Sequence, residues 1–413
     1  MLAFPNDNVV SSAAGLAIDM KFLHTSDWHV GRTIRNRSRM DEHRAVFAEI
    51  IDIAKQEQVD AVLVTGDIFH ERRPSLEAQE LVAETLAELA RQRIPSVLIP
   101  GNHDDPSLLR ALKPLGTLVQ AHIVPEVVED LSALIVPIPA RTGGEQALIG
   151  CLPYLHPHQV LNTAESVGMT EEGRLSAYQG KVQDFFRALV EGIRRSDQGA
   201  VSIVLAHLHL LECEFGGGEW RSSVFPVATG FLPAHVQYVA LGHLHKPQIV
   251  ENAKSQTRYA GSILQMDFGE REQKKSVCLI EARPGKPAIV NEIFLGKGKW
   301  LLRRTGTAEA ILAQAPDFTD AWVEVVVSLD KPNPDLVEKI RALPEVIALR
   351  FEEPQEAVTM NSERDQRSQV DRPAGELFRE YYKSKRKTDP EPQLLALFER
   401  LYQEASTTGD ETS

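Results

Sequence analysis

Five short apolar runs, in the stretches KFLHTSDWH, DAVLVTGDIFH, PSVLIPGNHD, VSIVLAH and QYVALGHLH, each close on residues of metal-ligand type. Between the first three the periodicity is helical. From Asp41 to Gln58 apolar side chains recur at Val46, Phe47, Ile50, Ile53 and Ala54, and the β-branched run Val59 to Thr65 follows at once. Ser75 is an N-cap candidate for a helix to about Gln92 with Leu81, Val82, Leu86 and Leu89 on one face, and Pro95 to Pro100 reads as the next strand. This alternation predicts an α/β fold with a largely parallel sheet covered by helices. Ligands bind such sheets beyond the carboxyl ends of the strands. The five runs would therefore bring Asp27, His29, Asp67, His70, Asn102, His103, His207, His243 and His245 to one edge.

From about Val119 to Cys151 the apolar segments are shorter and separated by Pro and Gly, the pattern of added antiparallel strands. A helix from about Arg174 to Arg195 leads to the run ending at His207, and a loop with Gly216, Gly217 and Gly218 lies between Glu212 and Pro233. After Gly298 a helix near Ala308 to Gln314, the strand AWVEVVVSL, a helix from Asp335 to Leu343 and the strand VIALRF predict a small α+β unit. The expected division is a flexible leader or an upstream start at 1–19, a main domain at 20–298, the α+β unit at 299–353, a polar linker at 354–371, a helical segment at 372–405 and a disordered tail at 406–413. Leu394, Leu395, Leu397, Phe398, Leu401 and Tyr402 give the last helix a broad apolar face, which either folds back on its own domain or docks a partner's helices.

Composition narrows the class. At 413 residues, 43% hydrophobic and 25% charged, the chain is an ordinary globular protein of two or three domains. No run approaches the roughly 18 to 20 apolar residues of a membrane helix, and the acidic, non-basic leader is no secretory signal. Cys151, Cys213 and Cys278 are odd in number and never in CxxC, which excludes a disulfide framework and a thiolate zinc site and suits a reducing cytoplasm. The net charge of −13 argues against a generic basic nucleic-acid binder. Two basic groups stand out, Arg32, Arg35, Arg37 and Arg39, then Lys383, Lys385, Arg386 and Lys387. Solvated surface explains such runs by default; for the arginines, a neighbouring phosphodiester site favours phosphate contact.

Any one of the strand-end residues has a structural explanation, and His24, His43, His122, His156, His158, His209 and His235 are assigned to that class. The joint occurrence of five clusters is what lifts the others above it. His207 and His209 alternate, and the residue pattern leaves the choice between them open. A set of imidazole, carboxylate and carboxamide without thiolate suits Mn²⁺, Fe²⁺ or Zn²⁺. It is too large for one catalytic ion and fits two sharing a carboxylate, roughly 3.5 to 4 Å apart, the arrangement for in-line displacement at phosphorus.

In this order DxH, GDxxH, GNHD, a lone His and GHxH resemble the calcineurin-like metallophosphoesterases. HTSDWHVG at 24–31, ALGHLHKPQ at 240–248 and YAGSILQMDFGE at 259–270 are similar to the SbcD-type, Mre11-like nuclease subunits within that superfamily. The resemblance covers 20–298 strongly and the remainder more by architecture. It implies a metallophosphoesterase sandwich of mixed sheets flanked by helices, with a small α+β domain capping DNA and C-terminal helices that dock a partner. It also implies two divalent ions, Mn²⁺ by preference, with Asp27, His29, Asp67 and His245 at one, and Asp67, Asn102, His207 and His243 at the other. His103 would stabilise charge or protonate the departing 3′ oxygen, Asp104 would orient His103, and His70 would support the site.

The implied partners are DNA and an SbcC-like coiled-coil ATPase, in a heterotetramer built on a homodimer. The implied activity is double-strand exonuclease and single-strand or hairpin endonuclease in DNA repair, replication and recombination. No P-loop GxxxxGK[ST] occurs, so ATP dependence would come from the partner. Two other readings use the same residues: a stand-alone phosphatase or cyclic-nucleotide phosphodiesterase, and an assembly subunit with a structural metal. The arginine run and C-terminal third weigh against the first, and the complete site with His103 against the second.

Overall fold

The computed structural model describes residues 19–161, 169–217, 225–328 and 333–352, with short stretches of one to three residues between 378 and 398. Contacts divide the chain into two units at Phe351 and Glu352. In the first unit, in chain order, come β1 (Met20–Thr25), β2 (Thr33–Ile34), β3 (Arg37–Ser38), α1 (Met40–Gln56), β4 (Ala61–Thr65), α2 (Leu76–Arg91), β5 (Ser96–Ile99), α3 (Pro106–Leu118) and β6 (Ala121–Ile123). They are followed by β7 (Ile135–Pro139), β8 (Gln146–Leu152), α4 (Pro157–Val160), α5 (Glu171–Ser196), β9 (Val201–His207), β10 (Tyr238–Gly242), β11 (Gln248–Ile249) and β12 (Thr257–Tyr259). The last are β13 (Ser276–Ala282), β14 (Ile289–Phe294), β15 (Trp300–Gly306), α6 (Ala308–Ala313), β16 (Ala321–Val327), α7 (Pro334–Arg341) and β17 (Val346–Phe351).

Two six-stranded sheets, ordered β14-β13-β1-β4-β5-β6 and β11-β12-β10-β9-β8-β7, pack face to face. Strand alternation explains the layering. Phe22, Leu63, Val97 and Ile99 point into the core shared with Ile149, Ile203 and Ala240 of the second sheet. Leu23, Val62, Val64 and Leu98 point the other way, onto Val46, Phe47 and Ile50 of α1 and Leu81, Val82 and Leu86 of α2. α5 joins the first of these cores with Tyr178, Val182, Phe186, Leu189 and Ile193, a helical stripe against the second sheet. Ser75 caps α2, its hydroxyl accepting from Ala78 N at 3.2 Å.

Three expectations change. β6 pairs parallel with β5, reached through α3, and β8 pairs parallel with β9; antiparallel pairing in this stretch is limited to β7–β8. The unit after Gly298 keeps the expected alternation of helix and strand but gains a first strand, β15, and its three strands are all parallel. Arg39 is no surface residue. It is 1% exposed, paired to Glu42 and bonded to Gln265 O, because the chain brings Gln265 against it.

In the second unit Phe378 and Phe398 stack with ring centroids 4.2 Å apart, and Lys383 pairs with Asp389. The leader 1–18, the whole linker, most of the helical segment, Lys385 to Lys387 and the tail lie outside the described residues. Among the described residues no helix is long and apolar enough to cross a membrane.

Candidate metal centre

The clusters come from both sheets. Asp27 and His29 follow β1, Asp67 follows β4, and Asn102 and His103 follow β5. His207 ends β9, and His243 and His245 follow β10. The single expected edge is thus two facing carboxyl edges. Asp27, His29, Asp67 and His243 all sit at positive φ, 49°, 47°, 50° and 103°, a conformation costing non-glycine residues on the order of 1–3 kcal/mol each. Hydrogen bonds impose it: Asp27 N donates to Gly66 O at 3.0 Å and His29 N to Asp67 O at 2.9 Å. Glycine is required beside these turns. A Cβ on Gly101 would strike the Asp67 carboxylate, and one on Gly242 would strike Thr65 O and Ser26 Oγ.

The side chains form two buried triads, Asp27–His29–His245 and Asp67–His207–His243. In the first, His29 Nε2 and His245 Nε2 lie 3.1 Å apart. In the second, Asn102 Oδ1 lies 3.1 Å from His207 Nε2 and 2.9 Å from His243 Nδ1. Asp67 Oδ2 is 3.5 Å from both His29 Nε2 and His207 Nε2 and so stands between the triads. Burial keeps His29 and His243 well below the usual imidazole range, in the neutral form that ligates cations. Burial pushes Asp27 up. At Asp67 burial acts in the same sense, but His207, His103 and His29 outweigh it and hold the carboxyl well below its usual value. His207, though buried, is drawn up to about 9 by Asp67.

These residues fit divalent cations. Two imidazole nitrogens converge in one triad, His243 Nε2 is buried without a hydrogen-bond partner, and a buried carboxylate in the other draws positive charge onto His207. His209 belongs to neither triad; its ring packs 4.7 Å from Phe215. His24 and His43 are structural. His24 lies between Tyr238 Oη and Thr65 Oγ1, both at 3.0 Å, and burial takes it down to about 3. His43 sits against the carbonyls of Arg39 and Trp28.

The roles expected of the GNHD residues need one correction. His103 is oriented by the His70 carbonyl, to which its Nδ1 donates at 2.8 Å, not by Asp104. Asp104 turns inward and accepts from Gly101 N, Ile68 N and Phe69 N at 2.8, 3.1 and 2.9 Å, because three backbone donors of two turns converge there. It holds the Asp67 and Asn102 turns together. Burial, then Asp67, raises its pKa to about 6. His70 stacks on His103 at 5.6 Å and lies 3.5 Å from His29, with burial and then Arg32 lowering it to about 4.

Sequence reasoning missed Glu270 and Lys275. Glu270 Oε1 accepts from His245 Nδ1 at 2.9 Å, and Oε2 pairs with Lys275 Nζ at 2.6 Å. Their signal was present, since Glu270 ends the stretch YAGSILQMDFGE.

A two-sheet sandwich with buried Asp and His and a half-buried Asn converging from facing edges defines a metal-dependent phosphoesterase. A family model described as calcineurin-like phosphoesterase matches residues 20–247, and one described as type 5 capsule protein repressor C-terminal domain matches 299–386. The SbcD component of the nuclease SbcCD from Bacillus subtilis is 33% identical over 81% of this chain and 86% of its own. Its counterpart from Escherichia coli K12 is 27% identical over 85% and 87%, and that from Rhodobacter capsulatus 30% over 80% and 86%. The chain belongs to the calcineurin-like phosphoesterases and, within them, to the SbcD family of SbcCD nuclease components.

Proposed function

We propose that the chain cleaves DNA phosphodiesters with two Mn²⁺ ions, one held by Asp27, His29, Asp67 and His245 and the other by Asp67, Asn102, His207 and His243. As a family member it is a metal-dependent phosphodiester hydrolase, the nuclease subunit of an SbcCD-type complex. The observation that carries the two-ion reading is Asp67 Oδ2, equidistant at 3.5 Å from a histidine of each triad. Divalent ions held by these residues would supply Lewis acidity and water activation for in-line displacement at phosphorus.

The chain's own groups do the rest. His103 donates through Nδ1 to His70 O, so its Nε2 is the nitrogen left to take up a proton and pass it to the departing 3′ oxygen. Asp104 fixes the turns that carry Asp67 and Asn102, and His70 packs His103 in place. The nuclease domain is 20–298, and the unit at 299–353 lies against DNA. The C-terminal helices dock an SbcC-like coiled-coil ATPase, in a cytoplasmic heterotetramer built on a homodimer.

Purified protein with Mn²⁺ is expected to cut linear and hairpin DNA as exonuclease and endonuclease. Failure on every DNA substrate, beside efficient turnover of a small phosphomonoester, overturns this reading. Deletion after residue 370 is expected to abolish capture of the ATPase and leave metal content intact; unchanged capture removes the docking role.

A further inference from the structure

Glu270 is fully buried and Lys275 is 5% exposed, yet neither is a ligand candidate. Both Glu270 oxygens are committed: Oε1 to His245 Nδ1 at 2.9 Å, and Oε2 to Lys275 Nζ at 2.6 Å, Met266 N at 2.9 Å and Ser262 Oγ at 3.5 Å. Lys275 Nζ also donates to the His245 carbonyl at 2.9 Å and to Gln273 Oε1 at 3.0 Å. One ion pair therefore grips the ring and the backbone of the same histidine. The carboxylate fixes the proton on Nδ1 and leaves the Nε2 lone pair for a cation, while the ammonium offsets a charge that would be costly alone in the interior.

The pair is also rooted elsewhere. Glu270 ends the short 3-10 turn Phe268–Glu270, and Phe268 packs with Ile34 and with Leu301 of β15, flanked by Trp322 and Ile347. The turn that supports His245 is thus built on the packing of the third sheet.

We propose that Glu270, backed by Lys275, is a positioning residue for His245 and sets the divalent-cation affinity of the Asp27–His29–His245 half of the site. This rests on the two-ion reading. A merely structural ion pair would stabilise the core and leave both ions bound alike; a positioning role weakens one ion selectively.

The test is a Mn²⁺ titration of metal-free wild type, E270M/K275M and E270Q, by calorimetry, with electron paramagnetic resonance reporting the spin-coupled pair. E270M/K275M removes both charges together and avoids a lone buried ion. It is expected to bind one ion with wild-type affinity and the other about 10–100-fold more weakly, with the coupled signal lost at ion concentrations that saturate wild type. E270Q keeps an acceptor for His245 and is expected to fall between the two, so it reads the effect independently of how the double variant folds. Unchanged affinity for both ions in the double variant, or equal weakening of both in either variant, overturns the proposal. A wild type that binds fewer than two ions overturns the two-ion reading instead.

Discussion

The backbone N–H of His243 donates to both carboxylate oxygens of Asp27, at 3.1 and 3.2 Å. Asp27 leaves β1 of one sheet and His243 leaves β10 of the other, so this contact ties the two edges together at the centre of the site. Both residues sit at positive φ. Hydrogen bonds of this kind hold the two residues in that strained conformation.

The shared position of Asp67 separates it from the other carboxylate. D67N is expected to lose both ions, and D27N only the ion of its own triad. Metal per chain, measured by inductively coupled plasma mass spectrometry after gel filtration, should be near zero for D67N and near one for D27N. Equal content in the two variants would remove Asp67 as the bridge.

His207 and His209 make a second contrast. His207 is the last residue of β9, paired with Gly242, and its Nδ1 donates to Thr65 O at 2.7 Å, which turns Nε2 toward Asn102 and Asp67. H207A is expected to lose the second ion and cleavage, whereas H209A should keep two ions. A metal loss confined to H209A would reverse the assignment.

For His103 the expectation is a split between binding and chemistry. Its Nδ1 is held by the His70 carbonyl, and although His29, His70 and His103 also lie close enough together to share an ion, the two-ion assignment leaves His103 outside both triads. H103A should retain metal while DNA cleavage falls about 10²- to 10⁴-fold, the usual worth of a positioned acid or base. Single-turnover assays with metal content measured in parallel check both halves.

Much of this was readable in the chain because each candidate ligand follows an apolar run and several follow a glycine that the tight turn demands. Helices α1, α2 and α5 were readable for the same reason, an uninterrupted apolar stripe. α3 was not, since Pro114 and Gly116 break its pattern although Asp105 caps it, accepting from Ser107 N at 2.8 Å. Without α3 the parallel placement of β6 is also lost. Arg39, Glu270 and Lys275 were hidden more deeply: a charged residue buried with a distant partner looks the same in a sequence as one in water.

The same limit applies to Arg35, which pairs with a residue 289 positions away. Glu324 on β16 is 1% exposed and pairs with Arg35 of the β2–β3 turn, Arg303 of β15 and Arg350 of β17. The three guanidinium groups are about half exposed, which leaves a positive surface where the proposed DNA-facing unit meets the main domain. R35A and R350A are each expected to lower the slope of log affinity for duplex DNA against log salt by about 0.9 per lost phosphate contact. Hydrolysis of a small phosphodiester should be unchanged. An unaltered slope would place the DNA elsewhere.

Glu42 joins that unit to the main domain from the buried side. Its carboxylate pairs with Arg39 at 2.7 Å and accepts from Trp322 Nε1 at 2.8 Å and Lys299 N at 3.0 Å. Burial pushes its pKa up, but Arg39, Trp322 and Lys299 outweigh that and hold it below the ordinary value. A carboxyl whose folded pKa lies below its unfolded one contributes stability that is fully present above the unfolded value, about 4.3, and is lost as pH falls through the folded value. Wild type should therefore lose melting temperature more steeply than E42Q between about pH 5 and 3. At neutral pH, E42A strands Arg39 in the interior and should cost about 3–5 kcal/mol. Parallel acid limbs for wild type and E42Q in thermal melts would show that Glu42 titrates alike in the folded and unfolded chain.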